Sequence, residues 1–199
     1  MPDTTAPSTT RSGKVLITPD DTTPWYALRL FSRNLRATMG ILDREECTYF
    51  VPMRYRERPV PAGDSNKKPK LVLAPVVSNL LFLKKTANQQ TVQQFLDEKL
   101  INAQIVPKER GSRVAYEIPT REMRELIYIC DPDRVLYEII STEEAAMRHG
   151  TDVIVTHGPL KGYRGRLVRK QHLHYLLRLY TGFAILVKVT KWCCKPADK

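Results

Sequence analysis

From Thr151 to Lys191 the chain offers strand-forming segments separated by turns, with no helical period among them. Asp152 to Val155 is a strand whose last three residues are apolar and β-branched, and Arg166 to Lys170 follows a turn. Leu173, Tyr175, Leu177 and Leu179 alternate with His174, Leu176, Arg178 and Tyr180. Thr181-Gly182 makes a turn before a last strand from Phe183 to Lys191. Some forty residues cut into strands this short suit a small barrel. The turn between the first two strands reads His157-Gly158-Pro159-Leu160-Lys161-Gly162, and Gly165 opens the next strand. Gly158 and Gly162 supply backbone angles closed to other residues, and Gly165 admits a close approach of two strands.

The charge is concentrated in the same region. Residues 148–191 hold nine basic side chains against Asp152 alone, a net +8 of the chain's +11. Residues 1–147 carry +2. This asymmetry divides the chain into two parts and points to a polyanionic partner. No apolar run reaches the ~20 residues of a membrane helix, and the N-terminus lacks the apolar stretch of a secretory signal. The expected compartment is the cytoplasm. Four cysteines show no C-x-x-C pair: Cys47 and Cys130 stand alone, and Cys193 and Cys194 are adjacent. They read as free thiols. His172 and His174 share a strand face with no third ligand, so neither a metal nor a cofactor is expected.

The first part reads differently. Residues 1–23 are rich in Thr, Pro, Ser and Asp and are expected to form an unstructured leader. Trp25 to Phe31 is a strand, Ser32 a helix cap, and Leu35, Met39 and Leu42 a helical stripe. Cys47 to Met53 is a strand, and residues 54–70 form a basic, Pro-containing hairpin tip. Leu71 to Leu83 is a strand broken at Pro75 and Ser78-Asn79. Thr91 and Gln94 have capping-box spacing ahead of the stripe Val92, Phe95, Leu96 and Leu100. Thr120 caps a third helix along Met123, Leu126, Ile127 and Cys130. Residues 24–131 thus read as an α+β unit, helices on a mainly antiparallel sheet. A linker over 132–148 holds one helical turn at Ser141 and Glu144, the small all-β unit covers 149–191, and 192–199 is a tail.

Two segments carry a family resemblance. Gly150-Thr151-Asp152-Val153 with Gly158-Pro159-Leu160-Lys161-Gly162-Tyr163-Arg164-Gly165-Arg166-Leu167-Val168 resembles a KOW motif. Trp25-Tyr26-Ala27-Leu28-Arg29, Tyr49-Phe50-Val51-Pro52 and Leu80-Leu81-Phe82-Leu83 resemble the N-terminal domain of NusG-type transcription factors. Pro75-Val76-Val77-Ser78-Asn79-Leu80-Leu81-Phe82 and Pro119 with Met123-Arg124 are most similar to the UpxY-type antiterminators. Where housekeeping members show Pro-Gly-Tyr, this chain has Ser78-Asn79-Leu80.

The resemblance implies a NusG N-terminal (NGN) type sheet with helices, followed by an SH3-like KOW barrel. It implies an elongation and antitermination factor that closes the clamp of RNA polymerase and suppresses pausing and termination, at specific operons such as surface-polysaccharide loci. Val77, Leu80 and Phe82 would then meet polymerase, although Phe82 equally suits sheet core. Thr91 and Gln93 would touch the opposite jaw, or merely cap a helix and face solvent. Arg29, Arg33 and Arg36 would face DNA, with a solvated helix face as the other reading. Lys161, Arg164, Arg166, Arg169 and Lys170 would meet RNA or the ribosome, or form a solvated barrel surface; the KOW unit would recruit the ribosome or a termination factor. The chain would act as a monomer. A KOW-type RNA-binding protein of the ribosome is the alternative. No nucleophile–base pair or phosphate loop supports an enzyme.

Overall fold

A computed structural model describes residues 17, 18, 20–31, 34–58, 70–109, 111–180 and 183–197. It is a mixed α+β structure in which every strand pairing is antiparallel.

The N-terminal sheet is built around β1 (Trp25–Leu30). β5 (Leu80–Lys84) lies on one side of β1, with β2 (Tyr49–Phe50) beyond it. β6 (Ala103–Ile105) and β7 (Glu117–Ile118) pair end to end along the other side of β1. β3 (Met53–Arg58) and β4 (Lys70–Pro75) form a separate two-stranded ribbon. The single broken strand expected over 71–83 is therefore two strands with different partners. The chain turns at residues 76–79, where Pro75 cannot donate to a continuing ladder.

Both faces of this sheet are buried. Tyr26, Leu28, Leu81 and Leu83 pack under α1 (Leu35–Arg44) and α2 (Gln89–Glu98). Trp25, Ala27, Leu80 and Phe82 point the other way, towards α3 (Thr120–Ile129) and the C-terminal half. Alternate strand residues face opposite sides, so the unbroken run Leu80-Leu81-Phe82-Leu83 is what a strand covered on both faces requires.

The helix ends are set by local chemistry. Asn34 caps α1, its side chain accepting from Ala37 N at 3.3 Å; Ser32 lies outside the described residues. Asn88, not Thr91, caps α2, accepting from Thr91 N at 2.9 Å. Thr120 is the first residue of α3 and its hydroxyl donates to the Thr23 carbonyl instead of capping. The α2 C-terminus closes with Leu100 N donating to Asp97 O and Ile101 N to Leu96 O. This is a Schellman arrangement with Leu100 in the left-handed region at φ 56°.

The described part of the expected leader, residues 17, 18 and 20–23, is tied to the fold. Ile17 packs on the core, and Arg124 donates to Thr18 O at 2.6 Å and Asp21 O at 3.0 Å. Lys84 pairs with Asp21 at 2.5 Å. This segment is held by side chains of α3 and β5 together with the packing of Ile17. Residues 1–16 lie outside the described residues.

The C-terminal sheet has six strands in the order β13-β9-β10-β11-β12-β8: β8 (Tyr137–Ile140), β9 (Thr151–Val155), β10 (Arg164–Lys170), β11 (Leu173–Tyr180), β12 (Phe183–Val189) and β13 (Cys194–Pro196). The connector expected over 132–148 contains the short helix α4 (Thr142–Ala146), capped by Ser141 accepting from Glu144 N at 3.1 Å. It also supplies β8, which takes the outer side of β12. Its Tyr-Glu-Ile-Ile sequence is too short to show a period. Among the described residues β13 and β8 are the open edges, so backbone pairing does not close the expected barrel. Gly158 and Gly162 adopt φ 84° and 88° in the β9–β10 turn. A Cβ on Gly165 would stand 2.6 Å from Leu177 O, which fixes glycine there.

Leu100 is almost fully exposed and strained by its positive φ. Leu100→Gly is expected to stabilise the protein by about 0.5–1 kcal/mol, read as a higher urea midpoint at unchanged slope.

Candidate functional site

The two halves meet on one apolar core. Phe50, Leu80 and Phe82 of the N-terminal sheet share it with Leu176, Tyr180, Phe183, Ile185 and Val187 of the C-terminal sheet. At its centre four rings form a file across the junction. Tyr180 stacks on Phe183 with centroids 5.0 Å apart, Phe183 meets Phe82 at 5.5 Å and 59°, and Phe82 meets Phe50 at 6.2 Å. Tilted and offset pairs of this kind contribute about 0.5–1.5 kcal/mol each beyond their buried area.

α3 lines the rim. Glu125 accepts from Arg178 at 2.5 Å, and Tyr128 stacks with Tyr163 at 6.1 Å. Arg178 also donates to Arg164 O at 2.6 Å, which fixes its guanidinium in place. Tyr137 donates to Met53 O at 2.6 Å, tying β8 to the start of the ribbon. Burial pushes the Tyr137 and Tyr180 phenols and the Cys130 thiol well above their usual ranges, so all three are neutral in the junction.

Leu80 and Phe82 are buried here, and Val77 is half-buried at the edge of the same core. Thr91 and Gln93 are not beside them. They sit on α2, across the sheet, with Gln93 donating to Asp97 Oδ1 at 3.1 Å and Ala103 O at 3.2 Å. Arg29 and Arg36 are exposed but separated: Arg29 lies on β1, whereas Arg36 rides the outer side of α1. Arg33 lies outside the described residues.

The basic cluster of the C-terminal half is divided by strand alternation. Arg164, Arg166 and Lys170 lie on one face of β10 and Arg169 on the other, with Lys161 in the turn before it. Lys170 is neutralised by Glu138, and Arg166 donates to Arg148 O at 3.4 Å. Lys161, Arg164 and Arg169 are exposed and have no carboxylate partner among the described residues. Gly158, Pro159, Gly162 and Gly165 shape the turn that presents them. It is closed by Gly162 N donating to Val155 O at 2.8 Å and Lys161 N to Gly158 O at 3.1 Å.

Sequence reasoning did not anticipate the junction. Phe183, Arg178, Glu125 and Tyr137 complete it, and each reads as an ordinary strand or helix residue in isolation. The signal available was the unbroken apolar run of β5, which demands a cover on each face. Among the described residues no three His, Cys, Asp or Glu side chains gather as a metal site, and no helix is long and apolar enough to cross a membrane. Compared with protein-family models and with curated proteins, the chain has no match.

Burial of Phe82 outweighs the rim ion pair. Phe82→Ala is expected to destabilise the full chain by about 3–5 kcal/mol and Arg178→Ala by about 1 kcal/mol, measured by chemical denaturation. Equal effects would show that the junction is held by charge.

Proposed function

We propose that the chain is a transcription elongation and antitermination factor of the NusG type, acting in the cytoplasm, at specific operons in the manner of UpxY-like members. On this reading 24–131 is an NGN-type domain and 149–191 a KOW-type unit. The apolar face with Val77, Leu80 and Phe82 binds RNA polymerase and favours its closed, processive form. It acts by binding, without bond chemistry.

The observation that supports the reading is where the suggested polymerase-contacting residues lie. Leu80 and Phe82 belong to a separate apolar face covered by the C-terminal half, not to the interior under α1 and α2. A second protein can take that face once the cover lifts. Free polymerase and the C-terminal sheet then compete for Phe82. The apparent polymerase affinity equals the intrinsic affinity multiplied by the open fraction. Loss of the partly exposed Arg178–Glu125 pair raises the open fraction without removing apolar surface.

Arg178→Glu in the full chain is expected to tighten binding to purified RNA polymerase about tenfold, the effect of roughly 1.4 kcal/mol. Adding Glu125→Arg restores the pair and returns binding to the wild-type value. Absence of polymerase binding in all three proteins would overturn the proposal. One observation favours the alternative of a ribosome-associated RNA-binding protein, namely the unpaired Lys161, Arg164 and Arg169. That reading takes over if the same proteins instead bind ribosomal RNA with a steep salt slope.

A further inference from the structure

A groove of about 420 Å³ runs along one side of the junction. One wall is the β3–β4 ribbon, with Arg54 and Arg56; the other is the end of the C-terminal sheet, with Leu136, Tyr175 and Lys188. Lys188 N donates to Leu136 O at 2.9 Å, and Tyr175 stands directly across from Lys188 in the β11–β12 ladder. The second wall is therefore a fixed surface.

Its charge is uncompensated. Arg54, Arg56 and Lys188 have no carboxylate partner among the described residues. The one lining carboxylate, Glu138, is held by Lys170. Arg54 is half-buried and Arg56 is exposed on the ribbon wall. Tyr175 is half-buried: it packs against the core cluster of Val168 and Leu177 and lines the groove.

We propose that this groove binds a single strand of nucleic acid. Arg54, Arg56 and Lys188 receive phosphates, and Tyr175 offers its ring to an unstacked base. A duplex keeps its bases stacked inside and has none to give Tyr175. The groove uses neither the apolar face around Phe82 nor the Lys161–Arg169 cluster, so the inference does not rest on the function proposed above. Because each half supplies one wall, a bound strand also holds the two halves together.

The test uses the full chain and fluorescence anisotropy with labelled oligo(U), oligo(dT), a duplex of equal length and a poly-glutamate peptide. Oligo(U) or oligo(dT) is expected to bind well above the duplex and the peptide, and the preferred oligomer identifies RNA or DNA as the ligand. Arg56→Glu with Lys188→Glu is expected to weaken that binding at least tenfold. It should also lower the slope of log K against log salt by roughly 1.4, at about 0.7 per lost phosphate contact. Tyr175→Leu, which keeps an apolar side chain in place, is expected to lose about fivefold to tenfold. Lys108→Glu with Arg113→Glu makes the same charge change at exposed positions away from the groove and is the control. Equal loss in the control pair, no binding of either oligomer, or peptide binding as tight as the oligomer would each overturn the proposal. Polymerase binding by Arg56→Glu/Lys188→Glu, measured in parallel, separates a failure here from a failure of the polymerase reading.

Discussion

The contact between Phe82 and Phe183 holds the rest of the structure in register. A sheet built from Trp25-Tyr26-Ala27-Leu28 and Leu80-Leu81-Phe82-Leu83 is apolar on both faces and must be covered twice. α1 and α2 cover one face. α3 alone does not cover the other, and the C-terminal sheet completes the cover through Phe183, Ile185 and Val187. Side-chain alternation places these three residues on a single face of β12, and β8 from the connector extends the sheet beside them.

The junction combines a large apolar part with a thin polar rim. Burial of a large aromatic ring outweighs a partly exposed ion pair several-fold. The closed arrangement is thus held by burial, which is non-directional and available to any apolar partner of suitable shape. The rim sets where the halves meet: Arg178 binds both Glu125 and the Arg164 carbonyl, and Tyr137 binds the Met53 carbonyl. In the function proposed above, polymerase would replace the C-terminal half as the cover of this face.

Much of the fold was legible because it is local. The capping pair Ser141 and Glu144, the left-handed glycines 158 and 162 and the close approach at Gly165 all follow from residue chemistry within a few positions. The strand β11 and the helices α1 and α3 announce themselves by period, and β1 by its aromatic and apolar run. What was not legible is non-local. The split of 71–83 into β4 and β5 depends on which partners each finds. The strand β8 is too short to show alternation and is defined only by pairing with β12. The candidate site shows the same division. The residue types along β5 and β10 were readable, but their grouping was not. Alternation sends Arg169 to the opposite face from Arg164 and Arg166, and α2 carries Thr91 and Gln93 across the sheet from Phe82.

The central claim is that one apolar core spans both halves of the free chain. Aromatic NMR of the full-length protein tests it most directly, through nuclear Overhauser contacts between the rings of Phe82 and Phe183. Cross-peaks are expected between these rings, whose centroids lie 5.5 Å apart, together with a Phe82 ring shielded from a soluble paramagnetic probe. No cross-peak, together with a Phe82 ring broadened by the probe, would contradict it.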